Sequence, residues 1–164
     1  DKAAGGATGE LASGWDLTIE AGSDLTGVDG LTLYAGMSEY EQYQNASTHD
    51  GDGSERVYGV KYATGGFTVG YQMSDEETGE TATTDYENTM YSVTFSVNDD
   101  LSIGYNHVES DEVSATPVTA EATSFQAAYT MGGATISIAE VSIDNRNYGT
   151  TNHDGHVLSL GLAF

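Results

Sequence analysis

The sequence is dominated by a repeat in which a short turn is followed by a run of alternating apolar and small polar residues. The residue after the turn is Leu31, Phe67, Leu101 or Ala134, so successive copies are 36, 34 and 33 residues apart. A period of this size indicates an array of similar supersecondary units. Because alternation at every second residue is the pattern of a β-strand with two different faces, the repeat predicts a series of β-hairpins.

A second alternating run precedes each turn, and a further run ends the chain, which makes nine predicted strands. These additional runs cover residues 15–21, 57–63, 90–97, 124–131 and 156–164. The short connections at 63–66, 98–100 and 131–133 contain Gly, Asn and Asp, which supply the positive φ angles that tight hairpins need. The long connections at 39–55, 74–89, 109–123 and 144–155 are polar and mostly acidic. No stretch shows a sustained helical stripe.

Short turns alternating with long loops are typical of outer-membrane β-barrels. A soluble β-sandwich is the alternative, since its strands also have one apolar face. Here the apolar face continues over all nine strands, and aromatic residues recur near the strand ends, as in an aromatic girdle. We therefore expect an all-β fold, an antiparallel transmembrane β-barrel. Residues 1–164 form its single domain, and residues 1–14 are an extracellular loop or leader.

The opposite face of the predicted strands consists mostly of Ser, Thr, Gly and Ala, with Lys61 as its only clear base. A narrow polar interior would need bulky paired charges, because unpaired buried charges are costly. These small side chains favour a wide, water-filled pore. The residues predicted to line it are Asp16, Glu20, Lys61, Gln72, Asn106 and Gln126.

The strand count favours a larger barrel. Complete bacterial barrels have an even number of strands, so nine strands fit the last part of a barrel of about sixteen strands. The alternative count treats residues 1–29 as a leader. It leaves a complete eight-stranded barrel with a structural or adhesive role.

Charge excludes one class of partner and predicts another. The chain has 26 acidic and 4 basic residues, a formal net charge of −22, so it lacks the cationic side chains that neutralise nucleic-acid phosphates. A pore mouth lined by one sign of charge concentrates counter-ions, which predicts a preference for cations. The chain has no cysteine, which removes any disulfide framework or Cys-based metal site.

Acidic clusters in the predicted loops suggest calcium, the one cofactor that the residues themselves raise. Asp50 and Asp52 belong to a segment with the composition of a calcium loop but without its full spacing, and Asp75, Glu76 and Glu77 form a second cluster. The hypothesis is that they bind Ca²⁺ or bridge lipopolysaccharide through divalent cations; solvated loops are the alternative. A soluble, calcium-loaded β-adhesin is the corresponding alternative to the barrel.

Catalysis has little support in the sequence. His107 lies at the end of a strand beside Ser110 and Asp111, and His49, His153 and His156 are the other histidines. No residue is placed as an oxyanion hole or orienting carboxylate, so we predict that the chain is not an enzyme. Arg56 and Arg146, at the loop edges, are expected to pair with acidic neighbours.

Two segments carry a family resemblance. Residues 58–71 resemble a hairpin of the general porins of Gram-negative bacteria. The ending resembles the C-terminal assembly signal of outer-membrane proteins, with Leu158, Leu160, Leu162 and a final Phe164. The whole chain is similar to the C-terminal half of alphaproteobacterial porins of the Rhodobacter type.

This resemblance implies a bacterial outer-membrane location and a 16-stranded homotrimeric barrel that passes ions and small hydrophilic solutes. It also implies contact with the lipid bilayer and lipopolysaccharide, and insertion by the barrel assembly machinery. The family's constriction loop lies in the N-terminal half and would be missing from this chain.

Overall fold

A computed structural model of the chain describes residues 13–42, 51–79 and 85–163 and shows an all-β fold. Nine strands form one sheet; a four-residue helix, α1 (Ser23–Thr26), and a 3-10 turn (Arg146–Tyr148) are the only helical elements among these residues. The strands are β1 (Gly14–Ala21), β2 (Leu31–Tyr40), β3 (Gly53–Thr64), β4 (Phe67–Glu77), β5 (Asp85–Ser96), β6 (Leu101–Val113), β7 (Val118–Met131), β8 (Ala134–Asp144) and β9 (His153–Leu162).

The sheet is a simple meander in which each strand pairs antiparallel with the next along the chain. This arrangement confirms the predicted nine antiparallel strands. Within the described residues the sheet is open, since β1 and β9 each pair on one side only. β1 pairs with β2 from Gly14 to Ala21, so residues 14–21 are part of the sheet and not of a leader.

Two of the short turns form as predicted, and the third forms differently. Gly65, Gly66 and Gly132 adopt φ angles of 54°, 86° and 60°, as tight hairpins require. The turn at 98–100 has no residue with positive φ. Instead, the side-chain oxygen of Asn98 accepts hydrogen bonds from the Asp100 and Leu101 amides at 2.9 and 2.8 Å, which closes the turn without a left-handed residue.

Several strands run further than the alternating pattern predicts. β4 ends at Glu77, β6 at Val113, and β7 already begins at Val118, so most of the acidic residues predicted in loops lie in strands. The backbone ladder continues through them because neighbouring strands of matching length satisfy each other's amide and carbonyl groups. The strands therefore extend beyond the apolar band at the end of the sheet that carries the long loops.

The sheet has no buried hydrophobic core among the described residues. Its large apolar side chains are exposed instead: Ile19 by 68%, Leu158 by 76% and Leu160 by 64%. In β4 the alternation is inverted relative to a soluble sheet, because Val69, Tyr71 and Met73 are exposed while the small or polar residues between them are half-buried. The apolar face of the sheet is thus the more exposed of its two faces.

Candidate functional site: the polar face of the sheet

The register divides the strand side chains between an apolar and a polar face. The apolar face carries, for example, Leu17, Met37, Tyr71, Val93 and Ile103, which lie on β1, β2, β4, β5 and β6. On β4 the apolar residues run from Phe67 to Met73, about 20 Å along the strand at 3.3 Å per residue. On transmembrane barrels, whose strands are tilted by about 35–45°, the outward apolar band is about 25 Å tall, so a tilted run of this length would cover part of such a band.

The six residues predicted to line a pore all lie on the polar face. Glu20 and Gln72 share one cross-strand row, which passes through Tyr34 and Gly59. A neighbouring row connects Lys61 to Asn106. Asp16 lies on the same face of β1 as Thr18, two positions along the strand. Gln126 of β7 lies on this face as well, directly opposite Gly104 of β6. The structure therefore brings all six to one surface, although they are far apart along the chain.

Charge is graded along the polar face, from acidic near the long loops to neutral near the short turns. A row at the loop end reads, from β1 to β6, Asp16, Ser38, Glu55, Glu76, Tyr86 and Glu112. The row near the turns reads, from β5 to β9, Ser96, Ser102, Ala128, Ser137 and Ser159. Hydrogen bonds from the Ser13 hydroxyl and amide lower the pKa of Glu41 at the loop end. Four of the five described strand carboxylates of the polar face, all but Glu20, therefore lie in this loop-end row.

Lys61 is the one Lys or Arg among the described strand residues of this face. Among the described residues no carboxylate lies within 4.0 Å of its ammonium group, so the alternative of a structural ion pair finds no partner there. Its row neighbours are Thr32 and Gly70, neither of which carries a charge.

A cavity of about 500 Å³ lies on the polar face between β1 and β5, beside the acidic row. Its lining includes Asp16, Ser38, Glu55, Gln72, Ser74 and Asn88. Carboxylate, hydroxyl and amide groups are thus exposed together in one concave region, which suits hydrated cations and solutes with hydrogen-bonding groups.

A hydrogen-bonded network holds the side chains beside this cavity. The Tyr34 hydroxyl donates to Gln72 Oε1 at 2.9 Å, and the Tyr34 ring lies directly over Gly59, where an added Cβ would come within 2.0 Å of it. Further along, Asn88 Nδ2 donates to Ser74 Oγ at 3.4 Å, and Ser110 Oγ donates to Asn88 Oδ1 at 2.6 Å. The polar face is therefore linked across β2–β4 and β4–β6.

The predicted calcium ligands are divided between the two faces. Asp75 and Glu77 face Arg56, whose Nη1 lies 3.5 and 3.7 Å from their carboxylates, while Glu76 belongs to the polar face. Asp50 lies outside the described residues. Asp52 Oδ1 accepts a hydrogen bond from the backbone amide of Gln42 at 3.2 Å. Within the described ranges, no group of three or more His, Cys, Asp or Glu is arranged to hold a metal ion. Calcium binding stays a prediction.

His107 and Ser110, which are close in the sequence, lie on opposite faces of the sheet. Ser110 lies on the polar face, whereas His107 stacks on Tyr91 on the apolar face, with ring centroids 4.7 Å apart. His107 is 8% exposed, and its Nε2 lies 3.0 Å from the Glu109 carboxylate. This arrangement does not bring Ser110 to the imidazole. His49 lies outside the described residues.

Two further expectations concern the ends of the chain and the arginines. Leu158, Leu160 and Leu162 lie on the apolar face of β9, and Phe164 lies outside the described residues. Arg56 pairs with acidic residues as predicted. For Arg146 the pairing expectation is wrong within the described residues, because its Nη1 faces His153 Nε2 at 3.3 Å and no carboxylate lies within 4.0 Å.

The alternating pattern does not indicate that the connection between β8 and β9 folds back over the polar face. It reaches β6 through Tyr148, whose hydroxyl lies 2.7 Å from Ser110 Oγ. The only local signal is the pair Asn145 and Asn147, since Asn accepts left-handed backbone angles more readily than most residues.

No model of a known protein family matches the chain, and no curated protein matches it either. In the described part of the chain, no helix is long and apolar enough to cross a membrane. The assignment of function therefore depends on the arrangement of the two faces.

Proposed function

We propose that the chain is part of an outer-membrane diffusion channel of the porin type, which passes ions and small hydrophilic solutes without chemistry. The observation that carries this proposal is the exposed apolar face: large hydrophobic side chains cover one side of a nine-stranded sheet, and none of those described is buried. Contiguous exposed apolar surface of this extent requires a partner, and an antiparallel sheet with one largely apolar face suits a bilayer.

If this proposal holds, further strands must complete the open sheet. Unpaired strand edges are untenable in hydrocarbon, so β1 and β9 must both be paired in the membrane. The two strands run in the same direction, because eight antiparallel pairings separate them. An odd number of additional antiparallel strands would close the sheet, as in a barrel of sixteen strands. A homotrimer that contacts lipopolysaccharide in the bacterial outer membrane is the assembly that the porin resemblance implies.

The polar face gives the proposed channel its selectivity. Ser, Thr and Gly line it at the turn end, and carboxylates line it at the loop end. Lys61, which lies near the turn end, is the only Lys or Arg among its described strand residues. A mouth of one charge sign raises the local concentration of counter-ions, so the channel prefers cations.

Planar-bilayer recording of the full-length protein tests this function. Stepwise conductance increments are expected, with reversal potentials in a salt gradient that indicate cation preference. A full-length protein that purifies without detergent as a soluble monomer would contradict the proposal and favour the soluble β-adhesin. A detergent-dependent protein that inserts without conducting would favour a barrel with a structural or adhesive role.

A further inference from the structure

A further cavity on the polar face differs from the one beside the acidic row, because its lining is uncharged. It has a volume of about 350 Å³, lies between β2 and β6 and is named here the neutral cavity. Among the described residues no Asp, Glu, Lys or Arg lines it, although the chain has a net charge of −22. Its polar-face side chains are those of Tyr34, Gln72, Met90, Ser92, Asn106 and Val108.

The ring of Tyr34 belongs to this lining and lies flat against the sheet. A Cβ added at Gly59 would be nearer to Cζ of Tyr34 than to its Oη or Cε2, so the ring covers this glycine with its face and not with its edge. The Tyr34 hydroxyl donates to Gln72 Oε1 at 2.9 Å, which fixes the far end of the ring. The opposite ring face therefore points away from the sheet, and little ordering is needed before a solute can pack on it.

The polar groups of the neutral cavity have hydrogen-bonding capacity to spare. Gln72 Nε2 donates to Met90 Sδ at 3.8 Å, and because a thioether is a weak acceptor, most of the donor capacity of this amide remains unused. Within the described ranges, the Ser92 hydroxyl and the Asn106 side-chain amide have no hydrogen-bond partner. Ser92 and Asn106 lie directly opposite each other on β5 and β6, so both can contact one solute.

These features favour an uncharged solute with one apolar face and an edge rich in hydroxyl groups. An ion would lose hydration here without an opposite charge in the lining. A pyranose sugar presents C–H bonds on a ring face, and their partial positive charge suits the negative face of an aromatic ring. Its hydroxyl groups donate and accept hydrogen bonds, as amide and hydroxyl side chains do. The volume of about 350 Å³ lies within the range of about 300–1,000 Å³ for small-molecule sites.

We infer that the neutral cavity is a binding site for uncharged pyranose sugars. The Tyr34 ring is its stacking surface. Its polar contacts are Gln72, Ser92 and Asn106. This inference rests on the proposed channel function and deepens it, because it names a class of solute that is bound during passage and does not only diffuse.

Saturation-transfer NMR on the full-length protein folded in detergent tests the site without requiring conduction. The probe is methyl β-D-glucopyranoside, and the control solute is sorbitol, an open-chain polyol without a rigid apolar face. Saturation should pass to the ring C–H protons of the glucoside and not to sorbitol. Tyr34→Leu should lower the affinity for the glucoside by about ten-fold, whereas Tyr34→Phe, which keeps the ring face, should lower it by about two-fold at most.

Two further variants separate the site from general effects on folding. Asn106→Ala removes a polar contact and leaves the ring in place, so it should lower the affinity by about three-fold and keeps the test valid if Tyr34→Leu misfolds. Tyr129→Ala truncates an exposed tyrosine of the apolar face and is the matched control, which should bind the glucoside as the wild type does.

Two results would overturn the sugar site and leave the channel standing: equal transfer to glucoside and sorbitol, or an unchanged affinity in both Tyr34→Leu and Asn106→Ala. Bilayer recording of the same preparation distinguishes this failure from that of the proposed function. A wild type that gives no conductance steps would overturn the channel, and with it the role of the site in passage.

Discussion

At the scale of single residues, the pairing of Tyr34 with Gly59 is the most constrained contact of the polar face. A Cβ at position 59 would lie 2.0 Å from the Tyr34 ring, so Gly59→Ala must displace Tyr34 and break its hydrogen bond to Gln72. Overpacking of this kind is expected to lower the free energy of unfolding by about 1–3 kcal/mol.

Gly155→Ala is the matched control, because Gly155 lies on the polar face of β9 and an added Cβ meets nothing within 4 Å. Chemical denaturation in detergent compares the two variants. The double variant Tyr34→Ala/Gly59→Ala should recover part of the loss, since the clash disappears with the ring. Equal stability of Gly59→Ala and Gly155→Ala would contradict this account of the pair.

The ion pair of Arg56, another single-residue contact, should contribute little to the free energy of unfolding. Its side chain is 41% exposed and that of Asp75 is 34% exposed, so water screens the pair. Arg56→Gln is expected to destabilise the sheet by about 0.2–1 kcal/mol at low salt and by less at high salt. Thermal melting at two salt concentrations checks this; a loss that is independent of salt would show that packing and not charge is responsible.

At the scale of the strands, the loop-end halves of β4–β8 contain carboxylates placed directly opposite one another. On the apolar face beyond the hydrophobic band, Glu121 faces Glu109 on one side and Asp144 on the other. Like charges at directly opposite positions destabilise a strand pair by a few tenths of a kcal/mol to about 1 kcal/mol. These strand ends should therefore be more stable where salt screens the repulsion.

Glu121→Gln should raise the thermal midpoint at low salt and reduce its dependence on salt concentration. Glu140→Gln is the control, since Glu140 lies on the same face of β8 but opposes Phe125 and His156. It removes the same charge without relieving an opposed pair. If the two variants shift the midpoint equally, total charge and not strand register determines the effect.

The sequence predicts these elements well where strand chemistry is local. Alternation and the turn residues predict the strand order and faces, because each strand has one mostly apolar and one mostly polar face and each hairpin is closed by its own turn residues. The strand ends are missed, since Asp75 and Glu77 are residues depleted in strands and are carried by pairing with neighbouring strands. The course of the connection between β8 and β9 is missed as well, because Tyr148 contacts Ser110 and Tyr86 only once β5, β6 and β8 lie in one sheet.

At the scale of the whole molecule, the acidic row on the polar face should control cation preference. Glu55 and Glu76 lie directly opposite each other beside the cavity, so Glu55→Gln/Glu76→Gln should reduce cation selectivity measured as a reversal potential. Glu77→Gln is the control, because Glu77 lies on the other face beside Arg56. An equal loss of selectivity in the control would assign the preference to net charge and not to the polar face.

The claim on which the rest depends is that the apolar face meets lipid while the polar face meets water. The chain has no cysteine, so single cysteines can be placed at consecutive positions 68–73 of β4 in the full-length protein and labelled with a nitroxide spin probe. Reconstituted in bilayers, positions 69, 71 and 73 should be accessible to oxygen, which partitions into lipid. Positions 68, 70 and 72 should be accessible to a water-soluble nickel chelate. Protection of 69, 71 and 73 from both reagents would show that the apolar face packs against protein and would contradict the account.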